Sequence, residues 1–125
     1  MRLPINIPLI IENVKITGPD GTVRVDLILD TGAILTAISS SVLNVIGYNT
    51  ETITESYEII TANGIIELPK LKVDKIAIGN VEAKDIEVMC HDIPELAEIQ
   101  GLLGLSFLQY FRTVIDYKQG YLEIS

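Results

Sequence analysis

The residues best suited to chemistry in this chain begin at Asp30-Thr31-Gly32-Ala33. An alternating apolar stretch, Val23 to Leu29, runs straight into that carboxylate, and a second apolar run, Ile34 to Ile38, follows. A charge at the end of an apolar strand is expensive to bury unless it is paired or used. Gly32 allows a tight turn and brings backbone N–H groups close to the carboxylate. Two roles suit such an aspartate: a proton-transfer group, or an Asx-turn in which the side chain bonds its own backbone. The other reactive pair, Cys90-His91, is weaker. One Cys and one His cannot close a zinc site, and neighbours on a strand point to opposite faces. No metal and no cofactor are expected.

Bulk composition narrows the field. At 125 residues the chain has room for one core, so residues 1–125 read as a single domain. Hydrophobic residues make up 48% and charged residues 21%, the balance of a folded globule and not of a disordered tail. A net charge of -8 argues against nucleic acid and anionic membranes as partners, since there is no basic patch to neutralise phosphates. No apolar run approaches the roughly 20 residues of a membrane span. The start, MRLPINIPLII, lacks a small-residue cleavage site, so no signal peptide is expected. A single cysteine excludes an intrachain disulfide and suits a reducing cytoplasm.

The elements that must hold Asp30 are short strands at close intervals, the pattern of an all-β barrel or sandwich. Leu3 to Lys15 reads as one or two extended pieces, with Pro4 and Pro8 favouring edge positions. Gly18-Pro19-Asp20-Gly21 is a turn. In the strand that follows, Val23, Val25, Leu27 and Leu29 share one face and Arg24, Asp26, Ile28 and Asp30 the other. Ser39-Ser40-Ser41 offers caps for a short helix through Val42, Leu43 and Ile46, stopped by Gly47. Asn63-Gly64, between the apolar runs Tyr57–Ile60 and Ile65–Leu68, predicts a hairpin whose two-residue turn needs positive φ at both. Another strand pair surrounds Gly79-Asn80. The acidic stretch from His91 to Gln100 reads as a loop punctuated by Pro94. Gly101 to Leu103 is a short strand breaking at Gly104 into a one- or two-turn helix, and Thr113–Asp116 with Tyr121–Ile124 forms a last hairpin.

The order of apolar strand, Asp30-Thr31-Gly32-Ala33, hairpin, and then Leu102-Leu103-Gly104 before a short helix resembles the retropepsin-like aspartic proteases, the single-domain retroviral type. The likeness covers Val23 to Glu123. An Asp-Thr-Gly tripeptide alone is weak; paired with apolar-apolar-Gly about seventy residues later it is much stronger. The resemblance implies a closed or partly open β-barrel with one or two short helices. It implies that Leu102, Leu103 and Gly104 pass behind the active-site loop, with Ser106 as the polar residue that usually follows the glycine. It further implies that Thr31 locks two loops together and that Ala33 lies beside the catalytic pair. Thr61, Ala62, Asn63 and Gly64 become a flap over substrate.

Such enzymes use two carboxylates that share one proton: the charged one deprotonates a water, the neutral one hydrogen-bonds the scissile carbonyl. This chain has one aspartate of that kind. Asp26, four residues earlier on an extended strand, lies roughly 13 Å away, and Asp116 has no Thr-Gly after it. The resemblance therefore implies a two-fold homodimer with Asp30 from each copy at the axis. The expected activity is hydrolysis of peptides bound in an extended conformation. The alternative is a peptide-binding or dimerisation module that keeps the fold without catalysis.

Overall fold

The computed structural model describes residues 1–93 and 98–125. The expected loop around Pro94 lies in part outside the described residues. The chain opens with β1 (Arg2–Pro4) and β2 (Ile10–Gly18), so the N-terminal stretch forms two extended pieces. Then come β3 (Gly21–Leu29), β4 (Thr36–Ile38), α1 (Ser40–Val45) and a 3-10 turn over Thr50–Thr52. β5 (Ser56–Thr61), β6 (Gly64–Ile78), β7 (Val81–Cys90), β8 (Gly101–Leu103) and α2 (Leu105–Leu108) follow, and β9 (Thr113–Asp116) and β10 (Tyr121–Ile124) end the chain.

Six strands close a barrel in the order β2-β3-β8-β4-β7-β6, with β6 pairing back onto β2 through Lys15↔Ala77 to Thr17↔Lys75. Closure leaves the barrel no free edge to pair with other chains. The alternation expected of β3 is observed: Val25, Leu27 and Leu29 are buried, and Asp26 and Ile28 are only half so. The core they join includes Ile16, Ile38, Ile76, Leu103 and Phe107, where each large side chain contributes roughly 1.5–3 kcal/mol by leaving water. A separate three-stranded sheet, β1-β10-β9, joins the two ends of the chain, and Pro4 lies on its edge strand as proline requires.

β6 is long because it serves two structures. Its first residues, Gly64 to Pro69, pair only with β5, and from Lys70 onward it pairs with β7. The β5–β6 hairpin is thus an arm extending from the barrel. At its root Tyr57, Ile59 and Leu68 pack on a second apolar cluster of Leu35, Ala37 and Met89. The register Thr61↔Gly64 makes Ala62 and Asn63 the two turn residues. Gly64 has φ +123°, but Asn63 is not in the left-handed region. The glycine alone supplies the unusual backbone, and Asn63 instead donates its N–H to the Thr61 hydroxyl.

α1 differs in its cap. Ser39 makes no side-chain cap bond. Asp92 takes that role from outside the helix, accepting from the Ser40 N–H at 2.8 Å. An anionic oxygen at a helix start satisfies an otherwise orphaned donor.

Candidate active site

Asp30 follows the last residue of β3 and is half-buried. Its N–H donates to Leu103 O at 2.9 Å, so β8 holds it from behind. Its carboxylate Oδ1 accepts the Gly32 N–H at 2.9 Å, the Asx-turn bond anticipated as the alternative to catalysis. Only Oδ1 is engaged among the described residues, so the turn bond fixes the carboxylate's orientation while leaving Oδ2 open. The backbone closes the turn with Ala33 N–H donating to Asp30 O at 3.2 Å. Thr31 and Gly32 are exposed at the tip, and a Cβ on Gly32 would sit 3.2 Å from Asp30 Oδ1. That is tighter than ordinary contact, so a side chain there would press on the carboxylate.

The second motif forms the wall behind this loop. β8 lies between β3 and β4, parallel to the first through Leu29↔Leu103 and antiparallel to the second through Ala37↔Leu102. Leu103 is fully buried in the main core and Leu102 packs on the smaller cluster. A Cβ at Gly104 would meet Ala33 O at 2.6 Å and Leu35 O at 2.9 Å, so only glycine permits this approach. Immediately after it, the Leu105 and Ser106 N–H groups donate to Ala33 O and Ile34 O at 2.8 and 2.9 Å. The first turn of α2 thereby satisfies the carbonyls of the loop it backs.

Sequence reasoning missed Thr36. It is fully buried; its N–H donates to Ser106 Oγ at 2.8 Å and its Oγ1 accepts the Gly104 N–H at 3.0 Å. The signal was a hydroxyl residue in an otherwise apolar run, Leu35-Thr36-Ala37-Ile38, which needs a partner when buried. Asp26 is occupied elsewhere. Its Oδ1 accepts the Asn13 N–H at 3.1 Å, holding a bulge in β2 where Asn13 has φ +58°. Asp116 accepts from the Gln119 N–H in the final hairpin turn. Neither is brought to Asp30.

Thr61 to Gly64 form the exposed tip of the arm, where Thr61 Oγ1 donates to Gly64 O at 2.9 Å. Cys90 is buried, and burial, with the Asp92 carboxylate adding to it, pushes its thiol upward. A thiol so placed is a poor nucleophile. No group of three or more potential metal ligands occurs among the described residues. No helix among them is long and apolar enough to cross a membrane.

Comparison with known proteins agrees with this architecture. The family described as "gag-polyprotein putative aspartyl protease" matches residues 13–110, a span containing both the Asp30 loop and Gly104. Among solved structures, a retropepsin-like aspartic protease from Rickettsia conorii is similar in fold, with a TM-score of 0.71 at 23% identity. The match covers 100% of this chain and 97% of that one. No curated protein matches the sequence. A single fold, with the Asp-Thr-Gly loop at the end of one barrel strand and Gly104 packed behind it, thus accompanies a family match over most of the sequence, and the chain belongs to the retropepsin-like aspartic proteases.

Proposed function

We propose that this protein is an aspartic endopeptidase whose catalytic pair is Asp30 and Asp30 of the partner subunit. The supporting observation is the Asp30 carboxylate itself, oriented through Oδ1 by the Gly32 N–H and open at Oδ2. A purely structural turn has no physical need for the glycine-backed wall that holds this loop from β8 and α2.

One carboxylate cannot be both base and acid, so the reaction requires the homodimer. The ionised Asp30 takes a proton from a water held between the two side chains, and the water oxygen bonds to the scissile carbonyl carbon. The protonated Asp30 of the opposite copy stabilises the carbonyl oxygen as it gains charge. Collapse of the tetrahedral intermediate breaks the C–N bond, and the amine leaves with a proton from the pair. Thr31 joins the two loops, and Ala33 borders the reacting bond. The Thr61–Gly64 tip is the flap, and it closes over a peptide added as an extended strand. Leu102, Leu103 and Gly104 position the loop. The lone buried thiol suits a reducing cytoplasm.

The test is hydrolysis of unfolded casein across a pH series, with and without pepstatin. Pepstatin-sensitive cleavage lost in Asp30→Asn supports the proposal. A folded, dimeric wild type without cleavage at any pH would leave a peptide-binding or dimerisation module instead.

A further inference from the structure

Four large aliphatic side chains lie open to solvent beside the Asp30 loop, two on each flank. On the first flank Ile7 and Ile10 are 85% and 41% exposed; on the second Ile34 and Leu105 are 62% and 39% exposed. Aliphatic surface gathered around one polar group marks a face that another molecule covers.

The sheet order separates the two flanks. β3, which runs into Asp30, has β2 on one side and β8 on the other. On the β2 side the Leu29 N–H donates to Leu9 O at 2.8 Å, so the bend at Ile7-Pro8 lies beside the Asp30 turn. Ile10 stands opposite Ile28. Side chains two apart on a strand share a face, as do cross-strand partners, so Ile10, Ile28 and Asp30 point the same way. On the β8 side the Leu105 N–H donates to Ala33 O at 2.8 Å, which brings Leu105 against the start of the Ile34 strand. Ile34 and Leu105 border one hollow of about 580 Å³.

We infer that the two flanks cover each other across the homodimer: Ile7 and Ile10 of one copy pack on Ile34 and Leu105 of the partner subunit, and the reverse contact forms by symmetry. A two-fold axis that brings one Asp30 to the other exchanges the sides of the loop. The β2 flank of each copy therefore meets the β8 flank of its partner. That geometry selects a second copy as the occupant, since this chain carries both halves of the contact. All four side chains are uncharged, so their burial works against the repulsion between two chains of -8, which salt screens. The contact rests on the two-copy catalytic site proposed above and supplies what holds its two carboxylates together.

Ile7→Arg and Ile34→Asp test it by sedimentation velocity on the full chain. Both positions are exposed in a single copy, so each variant should keep the wild-type far-UV circular dichroism. Each alone sets an unpaired charge against aliphatic side chains and should raise the dimer dissociation constant at least tenfold. Ile7→Arg should do so although it changes the chain's net charge from -8 to -7 (-8 + 1), which would tighten the dimer if general repulsion governed it. An equal mixture of the two variants should dimerise at least fivefold more tightly than either by itself. Every mixed dimer keeps one unaltered contact and turns the other into an arginine–aspartate pair. Unchanged dissociation constants for both variants, a mixture no tighter than its components, or a wild type monomeric at every concentration would overturn the contact. Casein cleavage separates this outcome from the peptidase reading. Wild type and mixture that dimerise as stated but cleave nothing would refute the peptidase and leave the contact standing. A cleaving wild type whose dimer ignores both substitutions would do the opposite.

Discussion

Thr36 and Gly104 are joined by a buried hydrogen bond, the Gly104 N–H donating to Thr36 Oγ1 at 3.0 Å across 68 positions of sequence. This contact ties the strand leaving the Asp30 loop to the glycine that backs it. Ser106 completes the clasp by accepting from the Thr36 N–H. Thr36→Val keeps the shape but strands the Gly104 N–H without an acceptor, at a cost of about 1–3 kcal/mol. Urea unfolding should show that loss, and Thr36→Ser should recover most of it. A valine variant as stable as wild type would mean the clasp contributes nothing net.

Asp30→Asn tests the chemistry apart from the fold. Asparagine can still accept the Gly32 N–H through its side-chain oxygen, so the turn survives. What disappears is the capacity to take and return a proton, and cleavage should fall by at least a thousandfold while the melting temperature moves little. Substantial residual cleavage by pure variant protein would remove Asp30 from the catalytic role.

Much of this arrangement was legible in the linear sequence because it depends on local physics. The period-two pattern from Val23 to Leu29 predicts which face of β3 enters the core, and Leu27, at 0% exposure, lies where the pattern puts it. Gly104 between apolar residues and a helix start was equally readable. The Thr36 clasp was not, because a hydrogen bond across 68 positions leaves no periodic trace. Strand spacing already excluded Asp26 as the second acid, but its actual role, accepting the Asn13 N–H of a bulge in β2, left no trace in the sequence. At the arm tip the Asn-Gly signal located the hairpin, but the turn centres one residue earlier. The Thr61 hydroxyl, bonded to both Asn63 and Gly64, is the local feature that the dipeptide rule omits.

If the proposed catalytic pair forms across two copies, activity should depend on protein concentration. Two chains carry -16 (2 × -8) and repel each other. Salt screens that repulsion, with a Debye length of about 10 Å at 0.1 M. Specific activity should therefore rise with both concentration and moderate salt, in step with dimer content measured by sedimentation. A fully active monomer at every salt concentration would contradict the two-copy site.

Gly64 offers a test of the flap. Its φ of +123° is closed to a β-branched residue, yet a Cβ there would touch nothing within 4 Å. The damage from Gly64→Val is thus backbone strain of about 1–3 kcal/mol confined to an exposed tip. Peptide turnover should fall more than tenfold, with the melting temperature lowered by only a few degrees. Normal kinetics in a variant with a displaced tip would show that the hairpin is not a lid.

Tyr48 predicts how stability responds to alkali. Its hydroxyl donates to Asp74 Oδ1 at 3.0 Å and accepts the Asp74 N–H at 2.9 Å. Burial, foremost, and the nearby Asp74 carboxylate raise its pKa from 10.0 to about 12, although the Asp74 N–H bond acts in the opposite direction. Between those values the unfolded chain releases a proton that the folded chain keeps, so the folded state binds more protons and loses stability as pH rises. The contribution is complete below pH 10 and gone by about 12. Tyr48→Phe removes this slope, and at neutral pH it costs roughly 1 kcal/mol through the lost acceptor for the Asp74 N–H. Urea-unfolding free energies from pH 8 to 11.5 should therefore converge, the wild type starting higher and falling more steeply through the last unit and a half. Parallel curves would mean that the phenol ionises alike in both states and that its bonds to Asp74 do not hold the proton.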